Sequence, residues 1–121
     1  PLPLFNRNKA GSAAAMLRAR AAEAETEIAR RELTQKMTEI ETEFETAVAV
    51  AQSIRGRLLP KAQRAYTISQ EGYAAGRYSW MELIRAQQTL ADTRIRYIEA
   101  LRNAQLALAE LQKFSTQEGD Q

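Results

Sequence analysis

The sequence predicts an all-α protein, a long antiparallel helical hairpin of coiled-coil character with unequal arms. Three observations predict it. Of the 121 residues 26% are charged and only 7% aromatic, with five glycines and three prolines, the makeup of long helices and not of a compact globule. Apolar residues recur at alternating steps of four and three over most of the chain, which keeps a seam on one side of a helix. One segment, G-Y-A-A-G-R-Y-S-W-M-E at residues 72–82, joins a helix stop to a helix start.

Residues 1–8, P-L-P-L-F-N-R-N, read as an extended lead-in, with Asn8 or Ser12 as candidate N-caps, because proline disfavours helix interiors. The first helix is expected from about residue 9 to about residue 75, roughly 100 Å at 1.5 Å per residue. Its seam runs Ala10, Ala14, Leu17, Ala21, Ala24, Ile28, slips in phase, and resumes as Leu33, Met37, Ile40, Phe44, Ala47, Ala51, Ile54, Leu58. A slip changes the supercoil locally without ending the helix. Ala14, Ala21 and Ala24 would let a partner helix approach closely; helix propensity alone also accounts for them. Gly56 weakens the helix and Pro60 removes a hydrogen bond, predicting a kink between them, with a full break as the alternative. Ala62, Ala65, Ile68, Ser69 and Tyr73 then carry the period to the turn.

Gly76 can take the left-handed conformation that ends a helix, and Ser79 followed three residues later by Glu82 is a capping box. The tip turn is therefore placed at residues 76–79. A second helix over residues 80–114 has the seam Leu83, Ala86, Leu90, Thr93, Tyr97, Ala100, Ala104, Ala107, Leu111, Phe114. Beside it lies a second stripe, Ile84, Ala91, Ile95, Ile98, Leu101 and Leu108, and a helix with two stripes needs two neighbours. Residues 115–121, S-T-Q-E-G-D-Q, read as a disordered tail.

Folding at the tip pairs positions whose numbers sum to about 155, bringing Leu111 to Phe44, Ala104 to Ala51, Tyr97 to Leu58 and Leu90 to Ala65. Everything before about Ile40 then has no partner within the chain, roughly 30 residues or about 45 Å of amphipathic helix. With the start at Pro1, this is the expectation for a segment of a larger, processed protein working in an assembly.

The net charge of +2 comes from interspersed arginine and glutamate, which gives nucleic acid no basic block to bind. Cysteine and histidine are absent, so no disulfide, zinc or copper site and no Ser-His or Cys-His pair is expected, and neither a cofactor nor catalysis. No apolar run is long enough to span a bilayer as a helix. What exceeds the needs of a turn is the tip, where Tyr73, Arg77, Tyr78 and Trp80 cluster. They either staple the hairpin end or form a docking surface, since aromatics and arginine anchor many interfaces.

The opening P-L-P-L-F-N-R-N-K-A-G, then L-L-P-K-A at residues 58–62, Y-A-A-G-R-Y-S at 73–79 and L-I-R-A-Q-Q-T-L at 83–90 resemble, in order and spacing, the second half of a TolC-like outer membrane factor. The branch they are most similar to is the CzcC type, which serves heavy-metal and cation efflux pumps. The resemblance implies a homotrimer whose subunits join membrane strands to a long periplasmic α-barrel, with this chain as a periplasmic portion of a Gram-negative outer membrane protein. It implies a periplasmic adaptor protein and an inner membrane pump as partners. On that likeness Tyr73, Gly76, Arg77, Tyr78 and Ser79 form the adaptor-docking tip, and Glu82 and Arg85 take channel-lining positions. The tip arginine of TolC falls at Tyr78, with Arg77 one residue earlier, and a second acidic lining position is Arg85; the resemblance thus carries docking further than a TolC-style gate. Leu83, Ala86, Leu90, Tyr97, Ala104 and Leu111 are the packing seam. A free-standing coiled-coil scaffold without a channel is the competing reading.

Overall fold

The computed structural model describes residues 2–120, with side chains from Arg7 onward. Its elements are α1 (Leu2–Ser53), a π-helical turn (Ile54–Leu58), α2 (Leu59–Ala74) and α3 (Trp80–Glu118). No strand occurs among the described residues, so the chain is all-α.

Three boundaries differ from the sequence expectation. α1 already begins at Leu2, where an extended lead-in was expected: a proline in a first turn removes only an N–H that has no intrahelical acceptor. Pro1 lies outside the described residues, as does Gln121 at the end of the expected tail. That tail is helical through Glu118, because nothing between Phe114 and Gly119 breaks a helix. Between Gly56 and Pro60 the helix does not break; it widens into a π turn, where the Leu59 N–H reaches the Ile54 carbonyl.

The chain divides into two units, Pro1–Thr38 and Glu39–Gln121. The first is a length of α1. Its described side chains are exposed except Ala14 and Met37, which are half-buried, and Leu17 stands 67% exposed. Threonines fit the helix by donating their hydroxyls to the carbonyl four residues back, as Thr26 does to Ala22 and Thr34 to Arg30, both at 2.9 Å, which satisfies a side chain that otherwise competes with helix.

The second unit is the hairpin. Ile40, only 2% exposed, is the first buried residue among those described. From there the rest of α1, the π turn and α2 run antiparallel to α3. Ala51, Ile54 and Ala100 form a buried cluster with Tyr97 packed against it, and nearer the tip the Arg94 guanidinium donates to Gln63 Oε1 at 3.2 Å. In α3 the buried side chains are Leu83, Leu90, Ala100 and Ala107, with Ile84, Ala86, Thr93, Tyr97, Ala104, Leu111 and Phe114 half-buried.

The π turn rotates the facing arm. Of the positions expected on the seam, Ala62 is buried and Ser69 half-buried, while Leu58, Ala65, Ile68 and Tyr73 are exposed and Leu59, Tyr66 and Gly72 are covered in their place. Tyr97, expected opposite Leu58, packs against the Ala51, Ile54 and Ala100 cluster. One extra residue in a π turn advances the helix face that follows. The second stripe of α3 stays open from Ala91 onward, with Ile98 at 64% exposure, while Ile84 is half-buried.

Candidate functional site

The tip is built by local hydrogen bonds at both of its ends. At the end of α2 the Arg77 N–H donates to the Gly72 carbonyl at 2.7 Å and the Gly76 N–H to the Tyr73 carbonyl at 3.0 Å, the bond pair of a Schellman stop. Gly76 sits at φ +72°, where a Cβ would crowd the following carbonyl. The Tyr78 N–H reaches the same Gly72 carbonyl at 3.2 Å, so the turn folds back on α2 before it leaves.

α3 starts with a reciprocal cap. Ser79 is extended at φ −77° and ψ 160°, its backbone N–H donates to Glu82 Oε2 at 2.6 Å, and its Oγ accepts from the Glu82 N–H at 3.3 Å. The Ser79 hydroxyl also donates to Glu82 Oε2 at 3.0 Å. These bonds favour the carboxylate form and hold the Glu82 pKa below its usual range, the backbone bond contributing most, then the hydroxyl, with a smaller contribution from the Arg85 charge.

On this frame the side chains spread into two groups. The Tyr73 and Trp80 rings meet at 5.7 Å between centroids with their planes tilted by 60°, a favourable edge-inclined arrangement that spans the two helix ends. On the other side the Tyr78 ring lies over Gly72, and Ile68, Glu71, Gly72, Arg77 and Tyr78 line a shallow groove. Tyr73, Tyr78, Trp80 and Met81 all remain exposed. The staple and the docking surface are thus not exclusive: Tyr73 and Trp80 brace the end while each keeps a face in water.

The five expected docking residues, Tyr73, Gly76, Arg77, Tyr78 and Ser79, are contiguous around this turn. Glu82 is folded back onto Ser79 and Arg85 is exposed one turn further along α3. Gly72 is the residue that sequence reasoning missed. A Cβ there would fall 2.6 Å from Tyr78 Cε2 and 2.9 Å from Cγ, so only glycine lets the ring lie down. The available signal was a glycine inside a helical pattern, where it costs about 1 kcal/mol relative to alanine and so calls for a packing reason.

The model of the outer membrane efflux protein family matches residues 1–115. The chain belongs to that family. It is 32% identical over 101 residues, 84% of this chain, to the cobalt-zinc-cadmium resistance protein CzcC of Cupriavidus metallidurans, of which the match covers 24%. The chain thus spans about a quarter of the curated relative it matches, and the CzcC-type, TolC-like resemblance read from its motifs holds over most of its length. No solved structure matches it significantly. Among the described residues no cluster of Asp or Glu could hold a metal ion, and no helix is long and apolar enough to cross a membrane.

Proposed function

We propose that this chain is the periplasmic α-barrel part of an outer membrane efflux channel, and that its tip docks a periplasmic adaptor protein serving an inner membrane pump. The observation that carries the reading is a tip fixed by hydrogen bonds at both ends that nevertheless leaves Tyr73, Tyr78, Trp80 and Arg77 in solvent, in a chain of the efflux family. Anchoring residues held rigid lose little entropy on binding. Tyr73, Gly76, Arg77, Tyr78 and Ser79 are the docking residues on this reading, with Gly76 and Ser79 shaping the backbone.

The open stripes on α1 and α3 are covered by neighbouring helices of a homotrimer. The duct is a passive conduit, and the likeness to CzcC favours metal cations as its cargo. Glu82 lines the narrow end; its bonds to Ser79 keep it ionised, and three such carboxylates would favour cations over anions. Arg85, one turn on, offsets part of that charge.

In the full-length protein, Gly76→Asp, or Arg77→Ala with Tyr78→Ala, is expected to abolish efflux-dependent metal tolerance while trimers still form in the membrane. Normal tolerance in both variants would sink the docking role.

A further inference from the structure

The π turn holds one residue more than the hairpin seam needs. Between Ile40 and Gly72 the buried and half-buried positions never lie more than four apart, except from Ile54 to Leu59, where the step is five. The Leu59 N–H donates five residues back, to Ile54, and the next residue, Pro60, has no N–H to restore the α pattern. Arg55, Gly56, Arg57 and Leu58 are exposed, and a Cβ on Gly56 would meet nothing within 4 Å. Packing does not require glycine there, and these four residues face solvent. Opposite it, α3 has no glycine or proline between Trp80 and Glu118 and keeps a regular ladder.

A hairpin of two packed rods bends sharply at one point when one arm lengthens there relative to the other, and a regular α-helix allows only gentle curvature. We propose that the Ile54–Leu58 turn is a length reserve that lets the first arm shorten or lengthen by one residue, so that the hairpin bends there and its tip swings. One residue is about 1.5 Å of helix, and across an interaxial spacing of roughly 9 Å that difference gives a bend of about 10°. At Gln70, fourteen residues beyond Gly56, the swing is about 4 Å. The bending itself follows from the turn; its use in transport rests on the channel reading above.

The test compares the full-length protein with a locked form in which Gly56 is deleted and Pro60→Ala restores the missing donor, making the seam step four. Amide exchange over residues 55–59 is expected to be at least about tenfold faster than in the flanking turns of the native protein, and to slow to the level of those turns in the locked form. Spin labels at Gln70→Cys, read between subunits of the purified trimer, are expected to give a distance distribution narrower by roughly 4 Å in the locked form. Native exchange as slow as the flanking turns, or equal widths in the two forms, overturns the proposal. Should the deletion fail to assemble, Pro60→Ala alone is expected to slow exchange at the turn, and no change there overturns it equally. Gly76→Asp leaves both readouts at native values, which separates a failure of docking from a failure of the reserve. A locked form that is narrow, well assembled and unable to confer metal tolerance supports the use of bending in transport; full tolerance overturns that use.

Discussion

The two units of this chain carry the same kind of amphipathic pattern and bury very different amounts of it. Over residues 7–38 seam residues such as Leu17, Ile28 and Leu33 lie open, whereas from Ile40 onward the seams of α1, α2 and α3 cover one another. Charge pairing of the kind seen here is too weak to explain this: the Arg31 to Glu27 ion pair at 3.0 Å is highly exposed, and such a pair adds only about 0.3–0.5 kcal/mol. The difference is the presence of a facing helix. Periodicity therefore tells that a helix has a face to bury, and hairpin arithmetic tells whether the chain can bury it.

The largest effect should come from breaking the covered seam. Leu90, 4% exposed, is expected to cost about 2–3 kcal/mol on truncation to alanine, the low end for a leucine because a thin hairpin can partly close the gap. Leu17→Ala in the open arm should change the stability of the 121-residue chain by less than about 0.5 kcal/mol. Urea unfolding followed by circular dichroism measures both. A similar loss at the two sites would erase the contrast, and a large Leu17 effect confined to the full-length assembly would show that the arm acquires its partner there.

At the tip the effects are smaller and coupled. Gly72→Ala drives a methyl group into the Tyr78 ring and is expected to cost about 1–3 kcal/mol. Adding Tyr78→Ala should recover most of that loss, a non-additivity expected of residues in direct contact. Gly76→Ala places a side chain at φ +72° for about 1–2 kcal/mol, with no rescue by Tyr78→Ala. A cycle in which both glycines respond alike would mean that the ring contact does not shape the turn.

The tip and α3 were the parts most legible in the sequence, and the reason is locality. A glycine stop, the Ser79 and Glu82 box and the steps from Leu83 to Phe114 each depend on residues within one or two helical turns, and the buried side chains of α3 fall on those steps. The π turn was not legible because its cause is a competition: Pro60 forbids the α pattern, the cover offered by α3 rewards continuity, and one widened turn satisfies both. Its consequence is a shift of one position in places, so that Leu59 and Tyr66 are partly covered while Leu58 and Ala65 are not. Gly72 was hidden for a similar reason, since its neighbour in space, Tyr78, lies beyond the turn.

At the tip the smallest expected effect concerns the cap that starts α3, and it can be read by pH. Ser79→Ala removes the side-chain half of the box and should cost about 1 kcal/mol. Glu82 supplies the other half, and its pKa is lowered in the folded state by the bonds from Ser79. A folded carboxylate that binds its proton more weakly than the unfolded one contributes stability that is complete above the usual carboxylate range, falls as the pH drops through that range, and is gone below the folded pKa. Stability should thus decline on acidification between about pH 5 and about pH 3, with a part of the decline belonging to this box. Glu82→Gln retains an oxygen that can accept the Ser79 N–H but has no proton to gain, so it should flatten that part of the profile while leaving a working cap at neutral pH. The same slope in Glu82→Gln and the native chain would assign the acid sensitivity to carboxylates elsewhere.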